Sequence, residues 1–348
     1  MTSWQKILKK SITSPRDLAE QLGCDIPELE RVAAKYPLRI NSYYLDLIKK
    51  SGKPLYRQAV PDIRELHDKE GMVDPLDEEN LSPVPNLVHK YPDRALFLVC
   101  SECAMYCRFC TRKRKVGKKE MAINDKTIAA GLEYLQATPE IKEVLLSGGD
   151  PLMLTDQKID RLLGAIRKIP SIEIIRIGTR IPCTLPMRIT PELTAILKKH
   201  HPLYINTHFN HPAEITAQAA TACTRLADAG IPLGCQTVLL RGVNDDPQIM
   251  KSLLRKLLTI RVKPYYLFQA DLTLGTDHFR TRIETGLELM QELIGHISGM
   301  AVPTFALDAP GGGGKIPLTP DYIAHLGESL EFTTYKGLPC SYPNQISP

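Results

Sequence analysis

No apolar run in this sequence approaches the ~20 residues needed to cross a bilayer, and Lys6, Lys9 and Lys10 are followed by no apolar stretch of the kind a secretory leader carries. The expectation is a cytoplasmic protein that does not touch the membrane. Aromatic residues are sparse, 6% with one tryptophan, and neither sign of charge dominates, 44 Lys and Arg standing against 39 Asp and Glu. The net charge of +5 is modest, and much of it is local. A disulfide framework is also missing: Cys24, Cys183, Cys223, Cys235 and Cys340 are scattered, which points to a reducing compartment. At 348 residues and 43% hydrophobic, the chain can bury a full core without staples.

The other four cysteines lie together, Cys100, Cys103, Cys107 and Cys110, after the apolar run 95–99. They are expected on a loop at a strand end. Clustered thiolates select zinc or iron–sulfur centres. Two Cys-x2-Cys pairs, Cys100/Cys103 and Cys107/Cys110, allow a zinc reading, but zinc sites usually separate their pairs by a dozen or more residues. The Cys-x3-Cys-x2-Cys spacing of Cys103, Cys107 and Cys110, with Phe109 before the last, resembles the radical S-adenosylmethionine (SAM) superfamily. There three cysteines hold a [4Fe–4S] cluster whose fourth iron chelates SAM, and Cys100 becomes a spare apolar residue. The basic run that follows (Arg108, Arg112, Lys113, Arg114, Lys115, Lys118, Lys119) reads as a solvated or anion-binding loop in preference to a nucleic-acid surface.

Strand-like runs at 95–99, 143–146, 172–177, 203–208, 232–239 and 264–268 alternate with helix-like stretches at 125–136, 157–168, 215–229, 247–258 and 283–297. Such alternation predicts a parallel sheet with crossover helices. The fold class is α/β, an incomplete (β/α)6 barrel of the radical SAM type with chemistry at the C-terminal strand ends; a doubly wound open sheet fits the same pattern. The organisation expected is an N-terminal helical extension (1–88), the partial barrel (89–300) and a C-terminal segment (301–348). Helices are expected to start near Ser14-Pro15 and Asp25.

Two further motifs stand out. Ser147, Gly148, Gly149 and Asp150 follow the second strand, as a tight turn or as a glycine turn whose backbone approaches a ligand. Gly311 to Gly314 precede Lys315. The spacing fails as a phosphate loop, because Ala309 and Ile316 stand where glycine and a hydroxyl are required. That leaves a flexible linker or a lysine presented for a Schiff base, with pyridoxal phosphate (PLP) the usual partner. On their own His208 and His211 read as satisfied core histidines in preference to a metal pair, Asp271 and Asp308 as turn caps, and Arg112 as part of the basic run.

Taken together, the blocks from Tyr91 to Arg94, Cys103 to Arg114, Leu146 to Leu152, His208 to Pro212, Gly234 to Asp245, Asp271 to Arg280 and Val302 to Lys315 resemble the lysine 2,3-aminomutase family, which is radical SAM and PLP-dependent. The resemblance implies a barrel with a C-terminal PLP-binding segment and an isomerase converting free L-lysine to L-β-lysine. It implies Lys315 as the PLP lysine, Arg112 for the substrate carboxylate, and Asp271 and Asp308 for its ε-ammonium. Ser147, Gly148, Gly149, Asp150, His208 and Gln236 are implied to meet SAM, and Tyr91 and Arg94 to meet PLP. A reductant such as flavodoxin or ferredoxin and a homo-oligomer are implied as partners. Two departures bear on this. Only Cys340 stands where the family carries a cysteine-rich zinc segment, and Asp246 replaces a further zinc cysteine, so zinc is not expected. Phe268 also stands where a tyrosine is expected. Rival readings are a relative that acts on lysine for elongation-factor modification, which lacks the four-glycine run, and mutases for glutamate or arginine.

Overall fold

The computed structural model describes residues 3–118 and 121–345; Lys119 of the basic run lies outside the described residues. Five helices come first: α1 (Ser3–Lys9), α2 (Pro15–Leu22), α3 (Ile26–Lys35), α4 (Ser42–Ser51) and α5 (Lys53–Ala59). Pro15 and Pro27 sit in first turns, where no amide hydrogen is required, and Asp25 caps α3 by accepting from the Glu28 amide.

A nine-stranded sheet follows in simple sequence order: β1 (Leu87–Tyr91), β2 (Arg94–Cys100), β3 (Glu143–Gly148), β4 (Ile174–Gly178), β5 (Leu203–Thr207), β6 (Leu233–Leu239), β7 (Lys263–Gln269), β8 (Thr304–Ala309) and β9 (Gly314–Pro317). Strands β2 to β8 pair in parallel, and β1 and β9 close the two edges antiparallel. The six anticipated strands are all present. The seventh parallel strand, β8, was not anticipated; it continues the sheet directly into the strand that carries Lys315.

The crossover helices are α6 (Asp125–Ala137), α7 (Asp156–Arg167), α8 (Ile181–Thr184), α9 (Pro191–Lys198), α10 (Ala217–Asp228), α11 (Pro247–Thr259) and α12 (Ile283–Leu293). Most begin on a side chain that takes up their free amides: Asn124, Thr155, Thr190, Thr216 and Asp246 cap α6, α7, α9, α10 and α11. Asp246, noted above for replacing a cysteine, accepts from the amides of Gln248 and Ile249 at 2.8 and 3.0 Å. No helix is long and apolar enough to cross a membrane among the described residues.

Side-chain alternation along the strands separates core from cavity. In β3, Val144 and Leu146 are buried against the helices, whereas Glu143, Leu145 and Ser147 face inward. In β4, β6 and β7, Arg176 and Gly178, Gln236 and Val238, and Tyr266 and Phe268 likewise face inward. The sheet thus curls around one cavity of about 610 Å³. Tyr91 laces its two edges together: its hydroxyl oxygen accepts from the Lys315 amide at 3.1 Å, joining β1 to β9.

The basic run is not a solvated face, which corrects the sequence reading. Arg108 and Lys113 are buried on the fully buried Glu65, at 2.9 and 2.5 Å from Arg108 and 2.8 Å from Lys113. Arg114 pairs with Asp74 at 2.9 Å and Lys115 with Glu79 at 3.0 Å. A small antiparallel sheet, β10 (Ile323–Leu326), β11 (Ser329–Thr333) and β12 (Pro339–Pro343), follows the barrel; Cys340 lies exposed on β12 opposite Phe332.

Candidate active site

The cavity gathers every residue to which the resemblance assigns a role. Cys103, Cys107, Cys110, Arg112, Ser147 to Asp150, His208, Gln236, Asp271, Asp308, Lys315, Tyr91 and Arg94 all line it. Cys100 ends β2 with its thiol buried, near the Glu102 carbonyl at 3.5 Å. Burial pushes the Cys100 and Cys110 thiols up to about 11 and raises the Cys103 thiol well above its ordinary value. Bare thiolates are therefore disfavoured here, and a cationic partner would be needed to hold them. Among the described residues, no three His, Cys, Asp or Glu side chains converge on a single-ion site. Four thiolates around one zinc would stand about 3.8 Å apart, given a Zn–S bond of about 2.3 Å.

The glycine turn packs onto the cysteine loop backbone to backbone. The Gly149 amide donates to the Cys100 carbonyl at 2.5 Å and the Asp150 amide to that of Glu102 at 2.8 Å. Gly148 has φ +134°, and a Cβ on it would collide with the Cys100 carbonyl. The demand for glycine thus comes at least from this approach of two loops, a reason the sequence did not reveal. The Asp150 carboxylate is taken up at the cavity wall, accepting from the Thr179 hydroxyl at 2.7 Å and the Arg180 amide at 2.7 Å. Burial raises its pKa to about 6 against the pull of those donors.

Arg112 is already paired: its Nη2 and Nε lie 2.6 and 3.0 Å from Glu78, and only Nη1 turns to Ser147, at 3.4 Å. Lys315 donates to both carboxylate oxygens of Asp308 at 3.1 Å, and its ammonium lies 5.2 Å from the centre of the Phe268 ring. Asp271 stands close enough to Asp308 to feel it. Burial, then Asp308, raises its pKa to about 7, with Lys315, Lys90 and Arg112 opposing. Both carboxylates line the cavity, Asp271 from just beyond β7 and Asp308 from within β8. Arg94 stacks over Tyr91 at 3.9 Å. His208 is bonded to the Asn210 amide oxygen at 2.9 Å, and burial, with Arg180 nearby, lowers its pKa to about 3. His211 caps a short turn by accepting from the Ala213 amide.

A family model described as lysine-2,3-aminomutase matches residues 290–345, and the radical SAM superfamily model matches residues 98–253. Over 92% of its length the chain is 48% identical to the L-lysine 2,3-aminomutase of Fusobacterium nucleatum, spanning 76% of that protein. The chain belongs to the lysine 2,3-aminomutase family. The L-lysine 2,3-aminomutase of Acetoanaerobium sticklandii is 52% identical over 82% of this chain and 70% of its own length. The glutamate 2,3-aminomutase of Clostridioides difficile is 44% identical over 89% of this chain and 74% of its own.

Membership of the lysine 2,3-aminomutase family does not by itself point to Glu78, Arg180 or Glu65, which sequence reasoning passed over. Arg180 stands just beyond the C-terminal end of β4, the strand-end position where barrel chemistry concentrates, and that rule could have found it. Nothing local marks Glu78, whose partner Arg112 lies 34 residues away; Glu65 closes a capping box with Asp62, but nothing local ties it to Arg108 and Lys113, 43 and 48 residues away.

Proposed function

We propose that this chain is a PLP-dependent radical SAM 2,3-aminomutase that moves the α-amino group of L-lysine to C3, giving L-β-lysine. The observation that carries the reading is the convergence of Arg112, Asp271, Asp308 and Lys315 on the cavity that the three cysteines line. The donor set fits the cofactors. Cys103, Cys107 and Cys110 line one cavity and offer three thiolates for a cluster in which each takes a different iron. Lys90, Arg94 and Arg176 line the same cavity as Lys315 and offer cations for a phosphate. When bound, the cluster with SAM supplies a hydrogen-abstracting radical and PLP a conjugated sink for the unpaired electron.

The chain's own residues position and exclude. Arg112 offers the substrate carboxylate the N–H edge that Glu78 leaves open, and Asp271 and Asp308 receive the ε-ammonium. Lys315 carries PLP, flanked by Tyr91 and Arg94. The backbone from Ser147 to Asp150, together with His208 and Gln236, meets SAM. A glutamate side chain would face two carboxylates, so lysine is favoured over glutamate despite the glutamate-named relative. A low-potential reductant such as flavodoxin or ferredoxin, a homo-oligomeric state and a cytoplasmic setting belong to the same reading.

The test is an anaerobic competition among lysine, arginine and glutamate with SAM and reductant, the β-amino acids being separated by chromatography. Preferential β-lysine is expected, and preferential glutamate turnover would overturn the substrate assignment. Borohydride should fix PLP on the peptide that contains Lys315. Metal analysis should give iron without stoichiometric zinc.

A further inference from the structure

Arg180 is buried at the cavity wall and is one of the most heavily engaged side chains there. Its Nη1 donates to the Cys107 sulfur at 2.9 Å. Its Nη2 donates to Gln58 at 2.6 Å and to the fully buried Glu214 at 2.8 Å. Its backbone amide is held by Asp150 at 2.7 Å, and its guanidinium carbon lies 5.1 Å from the centre of the Phe109 ring. Glu214 is itself fixed by the Tyr44 hydroxyl at 2.7 Å and by the amides of Asn210 and His211 at 2.7 and 3.0 Å. The Nη2 end of the guanidinium is therefore locked by residues from the N-terminal helices and from the segment after β5, while Nη1 is left for the sulfur. Nε of Arg180 is buried without a partner among the described residues.

We propose that Arg180 is a positioning residue that fixes Cys107 as a cluster ligand and raises the reduction potential of the cluster; the proposal rests on the radical SAM reading of Cys103, Cys107 and Cys110. A guanidinium N–H aimed at a ligating sulfur stabilises the more negative, reduced state of an iron–sulfur centre, both as a hydrogen-bond donor and as a cation. Among the described residues, no other arginine or lysine side chain is hydrogen-bonded to any of the three sulfurs. Arg112, the other guanidinium close by, is engaged by Glu78.

The measurement is the midpoint potential of the reconstituted cluster, by anaerobic titration followed by electron paramagnetic resonance, in the wild type, Arg180→Lys and Arg180→Met. Iron content and melting temperature are recorded for each. The expected result is a shift to more negative potential in both variants, larger in Arg180→Met, which loses the charge as well as the fork. Loss of iron from a variant that melts as the wild type does would also support the positioning role. An unchanged potential in Arg180→Met with full iron would overturn it. Where neither Arg180 variant folds, Gln58→Leu removes one anchor of the guanidinium and reads the same quantity: a shifted potential supports the proposal and an unchanged one overturns it. Wild-type protein that takes up no iron defeats the cluster reading itself, an outcome separate from any change between variants.

Discussion

Asp271 puts a titrating group where the substrate's cation is to be held. In the free protein its pKa stands near 7 through burial and then through Asp308. A carboxyl raised above its unfolded value favours the fold while protonated, so its contribution to stability is complete below about pH 4 and is lost as pH rises through 7. Binding runs the other way, because only the carboxylate attracts an ammonium. The expected outcome is that kcat/KM for lysine falls below about pH 7, and that Asp271→Asn removes this limb while lowering kcat/KM by roughly two decades, or about 3 kcal/mol. A pH–rate profile of both proteins checks it; a limb that persists in the variant belongs to another group. The cysteines give a second residue-scale expectation. Replacing Cys103, Cys107 or Cys110 with alanine should abolish the visible absorbance of the cluster, whereas Cys100→Ala should leave it, since Cys100 lies buried and outside the cavity lining. The positions of these residues were legible because their spacing is local. The engagement of Arg112 was not, because Glu78 lies 34 residues away and no pattern ties the two together.

At the scale of elements, the alternation of strand-like runs with helix-like stretches was enough to find strands β2 to β7. Strand β8 escaped because the glycine run behind it reads as linker, while its pairing with β7 is set by the sheet already formed. The glycine turn after β3 was legible as a turn, but the reason for its glycines lay in a second loop. Gly148→Ala places a Cβ against the Cys100 carbonyl in a left-handed backbone region that alanine rarely adopts. The substitution is expected to cost roughly 3 kcal/mol or more in global stability, or to displace the cysteine loop and lower iron uptake. Denaturant titration together with iron analysis separates the two outcomes. Gly311→Ala, with φ +69° but open space around it, should cost only about 1 kcal/mol.

Across the whole molecule, the segment between the N-terminal helices and the barrel ties the site loops together. Glu65 holds Arg108 and Lys113 beside the cysteines, Glu78 holds Arg112, and the Pro75 carbonyl accepts from the Gly311 amide at 3.0 Å in the glycine run before Lys315. The loop that begins at Asp271 is held by Asp68. One oxygen of Asp68 accepts from the amides of Glu70 and Gly71, the other from Gly275 at 2.7 Å, Thr276 at 3.2 Å and Asp277 at 3.3 Å, while Met72 pairs with Leu272 and Leu274. Burial works to raise the pKa of Asp68, but the amides of Gly275, Gly71, Glu70 and Thr276 outweigh it, and the net shift is downward. A depressed carboxylate contributes stability above its unfolded pKa near 4 and loses it as pH falls through the folded value. Asp68→Ala strips these amides of their acceptor without touching the cavity lining. The amides of residues 275–277 should then exchange with deuterium faster at neutral pH, and the excess over wild type should shrink as the wild-type carboxylate is itself protonated in acid. Because the same loop begins with Asp271, KM for lysine should rise several-fold with iron content unchanged. Faster exchange with an unaltered KM would mean that Asp271 keeps its place through β7 alone, and that the N-terminal segment braces the fold but not the site.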